Sequence, residues 1–140
     1  MIILDTNVIS ETMRPVPEPS VLSWLASLPA QDVFTTTISE AEIQFGLALL
    51  PKGVRRDALT LASRAVFAQD FAERVLPFDR AAAKEFADIA AARRQAGRPI
   101  SHADAQIAAI ARSRKAAVAT RNIGDFELCQ IRLVDPWAVP

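Results

Sequence analysis

Three aliphatics, Ile2, Ile3 and Leu4, stand directly before the polar trio Asp5, Thr6 and Asn7, and this junction constrains the fold more than any other stretch of the chain. An apolar run without alternation suits a strand covered on both faces, the situation inside a parallel sheet. Strand-like runs recur at 32–38 (DVFTTTI), 74–78 (RVLPF), 116–120 (AAVAT) and 131–136 (IRLVDP). Between them the apolar spacing predicts helices over 8–13, 19–28, 39–50, 54–71, 80–95 and 102–115, with a helical turn in NIGDFE. Breakers fall where such a series needs them: the Pro-rich RPVPEP at 14–19, PKG at 51–53, and Gly97 with Pro99 after the fifth helix. Strands alternating with helices make an α/β fold, a parallel sheet between helices, and place any site at the carboxyl ends of the strands.

The apolar faces follow from the same spacing. Val21, Leu22, Trp24, Leu25 and Leu28 mark one face of the second helix; Leu59, Ala62, Val66 and Ala68 mark the inner side of the fourth. Phe34, Phe45, Phe67, Phe71, Phe78 and Phe86 fall at core-type positions, as do Trp24 and Trp137. A length of 140 residues with 51% apolar content supports one domain, 1–140, with a real core. The single cysteine, Cys129, cannot form an internal bridge and reads as a half-buried thiol in a reducing compartment. Asp5 interrupts the N-terminal aliphatics too early for a secretory signal, and no window approaches the roughly 18 apolar residues of a spanning helix, so a cytoplasmic location fits best.

Sixteen basic residues balance sixteen acidic ones, so the overall basic excess common in nucleic-acid binders is missing. The charge is unevenly spread. Arg93, Arg94, Arg98, Arg112, Arg114, Lys115 and Arg121 face a single acid, Asp104, across 93–121. Two readings are open: a solvated helical surface, or a phosphate-tracking rim around an acidic centre.

The acids carry the chemistry. Asp5 closes the first strand; Ser39 precedes Glu42 by three residues, Ser101 precedes Asp104 by three, and Asn122 precedes Asp125 by three. The plainer account is that each caps a helix start, the first as a Ser/Glu capping box. The alternative is that the helix starts aim their carboxylates together around Asp5. Ionised pairs at about 6 Å would then repel by roughly 3 kcal/mol each at an effective dielectric near 20, which a fold tolerates only with a cation present. Oxygen donors without a histidine or cysteine cluster favour Mg²⁺ or Mn²⁺. Glu40 lies two residues, roughly 200°, around the helix from Glu42, so the two cannot share one ion. An aspartyl phosphatase would show D-x-D, but Asn7 holds the second place, and a receiver domain would need an adjacent acidic pair. His102, the only histidine, reads as an exposed helix-start residue.

LDTNVISE at the start, AEIQFG at 41–46, ADAQIAAIA at 103–111, VATRNIGDF at 118–126 and the terminal DPWA together resemble the PIN-domain ribonucleases of the VapC toxin type, particularly their FitB-like branch. The resemblance spans the chain in order. It implies a three-layer α/β/α domain with a central, mainly parallel sheet and a Mg²⁺- or Mn²⁺-dependent endoribonuclease, the toxin of a toxin–antitoxin pair. It further implies metal-activated water as the nucleophile and products with 5′ phosphate and 3′ hydroxyl. Carried over position by position, Asp5, Glu42 and Asp104 match the family's metal-binding acids. Where some members carry a fourth aspartate this chain has Asn122, and Asp125 supplies the charge. Thr6, Asn7, Thr120 and Asn122 match polar residues that orient the carboxylates and bound water. Arg121, with Arg98, would contact the RNA. The implied partners are RNA, a small VapB/FitA-like antitoxin and a second copy of the chain, giving a homodimer and, with antitoxin, a heterotetramer or larger. A PIN-like module that binds RNA or protein without cutting is the alternative.

Overall fold

The computed structural model describes residues 1–139. Five strands form one sheet: β1 (Ile2–Leu4), β2 (Val33–Thr36), β3 (Val75–Leu76), β4 (Ala117–Ala119) and β5 (Leu133–Val134). Their order is β3-β2-β1-β4-β5, and every neighbouring pair is parallel. The junction at the N-terminus therefore lies at the sheet centre. Seven α-helices connect and flank the strands: α1 (Thr6–Thr12), α2 (Pro19–Ala26), α3 (Thr37–Leu49), α4 (Val54–Ala65), α5 (Arg80–Gln95), α6 (His102–Ser113) and α7 (Ile123–Phe126).

Strand β1 shows why its apolar run is unbroken. Ile3 packs into one core with Ile89 of α5, Ile107 and Ile110 of α6, and Val118. Ile2 and Leu4 point the other way, into a second core with Val8 and Ile9 of α1, Val21 of α2 and Ile43 of α3. Helices thus cover both faces of the sheet, the three-layer α/β/α arrangement. Each fully buried Ile or Val contributes about 1.5–3 kcal/mol over leaving it in water, so the two cores together fix the register of β1.

The α5 terminus follows its sequence signals closely. Gly97 adopts φ 72°, its N–H donates to Arg94 O at 3.1 Å, and the Arg98 N–H donates to Arg93 O at 2.9 Å. This is a Schellman closure, which needs a left-handed residue after the helix, and Pro99 prevents its continuation.

Several sequence expectations are corrected. The helix expected over 54–71 runs only to Ala65 and then widens into a π-helix over Val66–Asp70, whose last turn closes from Phe71 N–H to Val66 O at 2.9 Å. Its inner side carries Ser63 and Phe67, while Ala68 is exposed, because the widened turn shifts the facing positions. Leu22 is exposed as well, leaving Val21, Trp24, Leu25 and Leu28 as the packed face of the α2 segment. Phe45 is 66% exposed, about 200° around α3 from the buried Ile43. Cys129 is fully rather than half buried. No helix among the described residues is long and apolar enough to cross a membrane.

Two glycines offer a test of this backbone. A Cβ at either Gly97 or Gly46 meets open space, so only conformation separates them. Gly97→Ala is expected to cost about 1 kcal/mol through its left-handed φ, and Gly46→Ala, inside α3, to gain about 0.5–1 kcal/mol, as measured by urea unfolding midpoints.

Candidate active site

Asp5 performs both duties its sequence position allows. It is the N-cap of α1, its Oδ1 accepting the Thr6 N–H at 2.8 Å. Its Oδ2 accepts the Thr120 hydroxyl at 2.8 Å and Asn7 Nδ2 at 3.2 Å. Thr120 follows β4 and Asn7 lies in α1, so the carboxylate is held by groups from both neighbouring connections. Only 5% of Asp5 is exposed. Burial pushes its carboxyl from 3.8 up to about 6, helped by the charges of Asp104 and Glu42 and opposed by the Thr120 and Thr6 hydrogen bonds.

Glu42 reaches the same place by a different local route from the one the sequence suggests. The cap of α3 is Thr36, whose hydroxyl accepts the Ser39 N–H at 3.1 Å; the helix starts two residues earlier than expected and Ser39 is not its cap. Glu42 is therefore one turn further in, free of capping duty, and its Oε1 accepts the Thr6 hydroxyl at 2.7 Å. Buried Ser39 stands 2.9 Å from that same hydroxyl. Glu40 lines a separate hollow between α3 and α4.

Asp104 keeps its expected position at the third residue of α6, with its N–H donating to the Ser101 hydroxyl at 3.2 Å. Burial pushes its carboxyl upward; Ser101 opposes this, Asp125 and Glu42 add to it, and Arg93 opposes it. Asp5, Glu42 and Asp104 line one cleft of about 490 Å³, with Thr6, Asn7 and Asn122 also on its walls. Asp125 is exposed and lies outside that lining, near enough to Asp104 for its charge to be felt. The Asn122 N–H donates to Thr120 Oγ1 at 3.0 Å, while its side chain caps nothing. His102 is exposed at the start of α6, its ring edge-on to Phe86.

The expected basic rim does not form as a unit. Arg121 lines the cleft, but Arg98 bonds to Glu127 at 3.0 Å outside it. Arg112 pairs with Glu85 and Arg114 with Asp79. The reason is geometric: α6 runs away from the strand ends, so Arg112 lies about 12 Å along the axis from Asp104. Arg93 is not a surface residue at all. It is 4% exposed and donates to Asp125 O at 2.9 Å and Glu127 O at 2.8 Å, pinning the loop that carries Asp125. Its spacing from Ala82, Phe86 and Ile89 on α5 was the legible signal for burial.

Two further cleft residues had no site role in the sequence reading. Glu11 is 5% exposed and sits on the inner face of α1, three residues after Val8. It pairs with Arg14 at 3.2 Å and accepts the Glu18 N–H at 3.0 Å, tying the proline-rich loop to α1. Trp137 packs partly against the second core and also lines the cleft, so the packing role expected for it is only half its placement.

The comparisons with known proteins agree with this geometry. Residues 2–127 match the PIN domain. Toxin FitB of Neisseria gonorrhoeae is 40% identical over 137 residues, covering 98% of this chain and 99% of its own. VapC ribonuclease Y4jK of Sinorhizobium fredii is 38% identical, covering 98% of each chain. The solved structure of FitAB bound to an IR36 DNA fragment superposes with a TM-score of 0.92 at 39% identity, covering 100% of this chain and 98% of that one.

Buried Asp5 opposes folding at neutral pH. The folded state retains the Asp5 proton up to about pH 6, whereas the unfolded chain releases it near 3.8. The penalty is therefore absent below 3.8, grows as pH rises through that window and is complete above it, at most about 3 kcal/mol. Asparagine caps a helix as well as aspartate does. Asp5→Asn is expected to raise metal-free stability at pH 7.5 by about 1–2 kcal/mol and to leave it nearly unchanged at pH 3.5, read from denaturation at both pH values. Five strands in this order, an acidic cleft at their carboxyl ends and full-length similarity to its members establish that the chain belongs to the PIN-domain family, in its VapC-type toxin–antitoxin branch.

Proposed function

We propose that this chain is a divalent-metal-dependent endoribonuclease and the toxin of a toxin–antitoxin pair, acting in the cytoplasm. The observation that carries the reading is the convergence of Asp5, Glu42 and Asp104, from three separate parts of the chain, on one cleft at the carboxyl edge of the sheet. Its relatives include a protein named as a VapC ribonuclease and one named as a toxin.

The donor set fits Mg²⁺ or Mn²⁺. Its carboxylate donors are all oxygen, and Asp5 is raised chiefly by burial with a smaller contribution from the charges of Asp104 and Glu42, a setting that a bound cation would relieve. Among the described residues no three acidic, histidine or cysteine side chains close into a ready-made cage. An ion bound in the cleft would be held chiefly by Asp5 and Asp104, with Glu42 and Asp125 as further candidate ligands. Bound there, the ion would supply a Lewis acid that makes water a competent nucleophile near neutral pH.

The protein's own groups do the positioning. Thr120 and Asn7 fix one oxygen of Asp5 while Thr6 fixes the other, so the carboxylate cannot rotate. Thr6 also bonds Glu42 through its hydroxyl, linking two of the acids through one residue. Glu42 is the exposed carboxylate of the three and can accept a proton from water at the cleft mouth. Asn122, through its backbone, holds the Thr120 hydroxyl in place.

A small antitoxin is the proposed protein partner. A groove of about 620 Å³ between α1, α3 and α4 is lined by Met13, Pro15, Ile43, Leu47, Leu50 and Leu59, and its end reaches Thr6 and Glu42. An apolar segment laid there would bring a cationic side chain to the acids. Homodimerisation, with a heterotetramer or larger assembly on antitoxin binding, completes the proposal.

Cleavage of RNA by purified protein should stop with EDTA and return with Mn²⁺ or Mg²⁺. Asp5→Ala and Asp104→Ala should each lower the rate by about two to four orders of magnitude, and Glu42→Gln by about one to two. Undiminished cleavage in Asp5→Ala, or cleavage in EDTA, would refute the metal-dependent reading; RNA binding without any cleavage would favour a silent PIN-like module.

A further inference from the structure

Residues beyond the ends of two neighbouring strands meet on one wall of the cleft. β4 and β5 pair in register up to Ala119 and Val134, and the Thr120 N–H extends the ladder to Val134 O at 2.9 Å. Arg121 comes next, its N–H donating to Asn7 Oδ1 at 3.3 Å. On the other strand the Asp135 carboxylate accepts the Trp137 N–H at 2.9 Å, a local turn that aims the chain after β5 back toward the cleft. The result is a cation–π contact: Arg121 Cζ lies over the Trp137 ring, 5.0 Å from its centre.

The two arginines that line the cleft differ in one respect. Arg14 is paired with the buried Glu11, whereas none of the ion pairs among the described residues involves Arg121. Arg121 is thus a cation without a carboxylate partner, lining the same cleft as Asp5, Glu42 and Asp104, where a polyanion entering needs one. The ring face under the guanidinium is occupied, so a nucleobase cannot use it. The in-plane N–H edges of the guanidinium are free of carboxylate partners, and their fork suits phosphate oxygens.

Resting on the ribonuclease reading above, we infer that Trp137 is a positioning residue for RNA: its ring face holds the Arg121 guanidinium at the cleft wall, ready to grip a phosphate of the RNA backbone. An exposed arginine gives up rotamer freedom when it binds a phosphate, and one already stacked gives up less. Trp137 therefore acts on binding and not on the chemical step. Its contribution is delivered through Arg121 alone.

The test is steady-state cleavage of a mixed-sequence, fluorophore-quencher oligoribonucleotide with Mn²⁺. Trp137→Leu is expected to raise KM about three- to ten-fold with kcat within about two-fold of wild type. Arg121→Lys should do the same although the charge remains, because an ammonium neither forks nor lies flat on the ring. The double variant should be no worse than either single one, and Trp137→Phe, which keeps an aromatic face, should retain most of the affinity. A fall in kcat at unchanged KM, or effects of the two substitutions that multiply, would overturn the inference. Should Trp137→Leu not fold, Arg121→Lys and Trp137→Phe decide it alone. If wild type does not cleave, the ribonuclease reading fails. Fluorescence anisotropy of the same RNA on metal-free protein then still decides the clamp, with weaker binding by Trp137→Leu expected and equal binding overturning it.

Discussion

A carboxylate buried at the end of a central parallel strand is the constraint on which the other features of this protein depend. Asp5 cannot be moved outward without pulling β1 from two cores at once, since Ile3 is packed on one side of the sheet and Ile2 and Leu4 on the other. Nor is it lost as a cap, because α1 begins from its side chain. The fold thus commits a negative group to a poorly solvated place. It then adds Glu42 and Asp104 beside it, each held there by helices that also build the cores.

Such an arrangement is a stability cost that the cation of the proposed function would offset, and the site that carries it is built mainly from helix starts. The Thr6 backbone N–H and hydroxyl at the start of α1, with the Thr120 hydroxyl after β4, supply the hydrogen bonds that keep Asp5 and Glu42 fixed. Capping and the proposed metal holding are compatible. In Asp5 one carboxylate caps α1 and also lines the cleft, whereas Glu42 is released from capping by Thr36 and given to the cleft.

The sequence was most legible where one physical signal acted alone. The unbroken apolar run of β1, the Gly97 and Pro99 stop after α5, and the Ser101 cap that sets Asp104 all appear in the structure where pattern placed them. Legibility failed where tertiary context reassigned a residue. Arg93 has the composition of a surface residue but the spacing of a core one, and its burial follows from carbonyls that only the folded α7 loop presents. Glu11 is similar: its partners are Arg14 and the Glu18 backbone, which the loop brings near. The basic residues after 93 looked like a rim because sequence proximity does not reveal that α6 carries its two ends to opposite edges of the sheet. Trp137 was hidden for a further reason, since its meeting with Arg121 depends on the pairing of β4 with β5.

Because the charge on Asp5 is the central quantity, its titration is the most direct measurement. Following the Asp5 side-chain carboxyl by ¹³C NMR in metal-free protein should give an apparent midpoint near 6, well above the usual 3.8, and saturating Mg²⁺ should drive it sharply downward. A midpoint close to 3.8 that does not respond to Mg²⁺ would contradict the account.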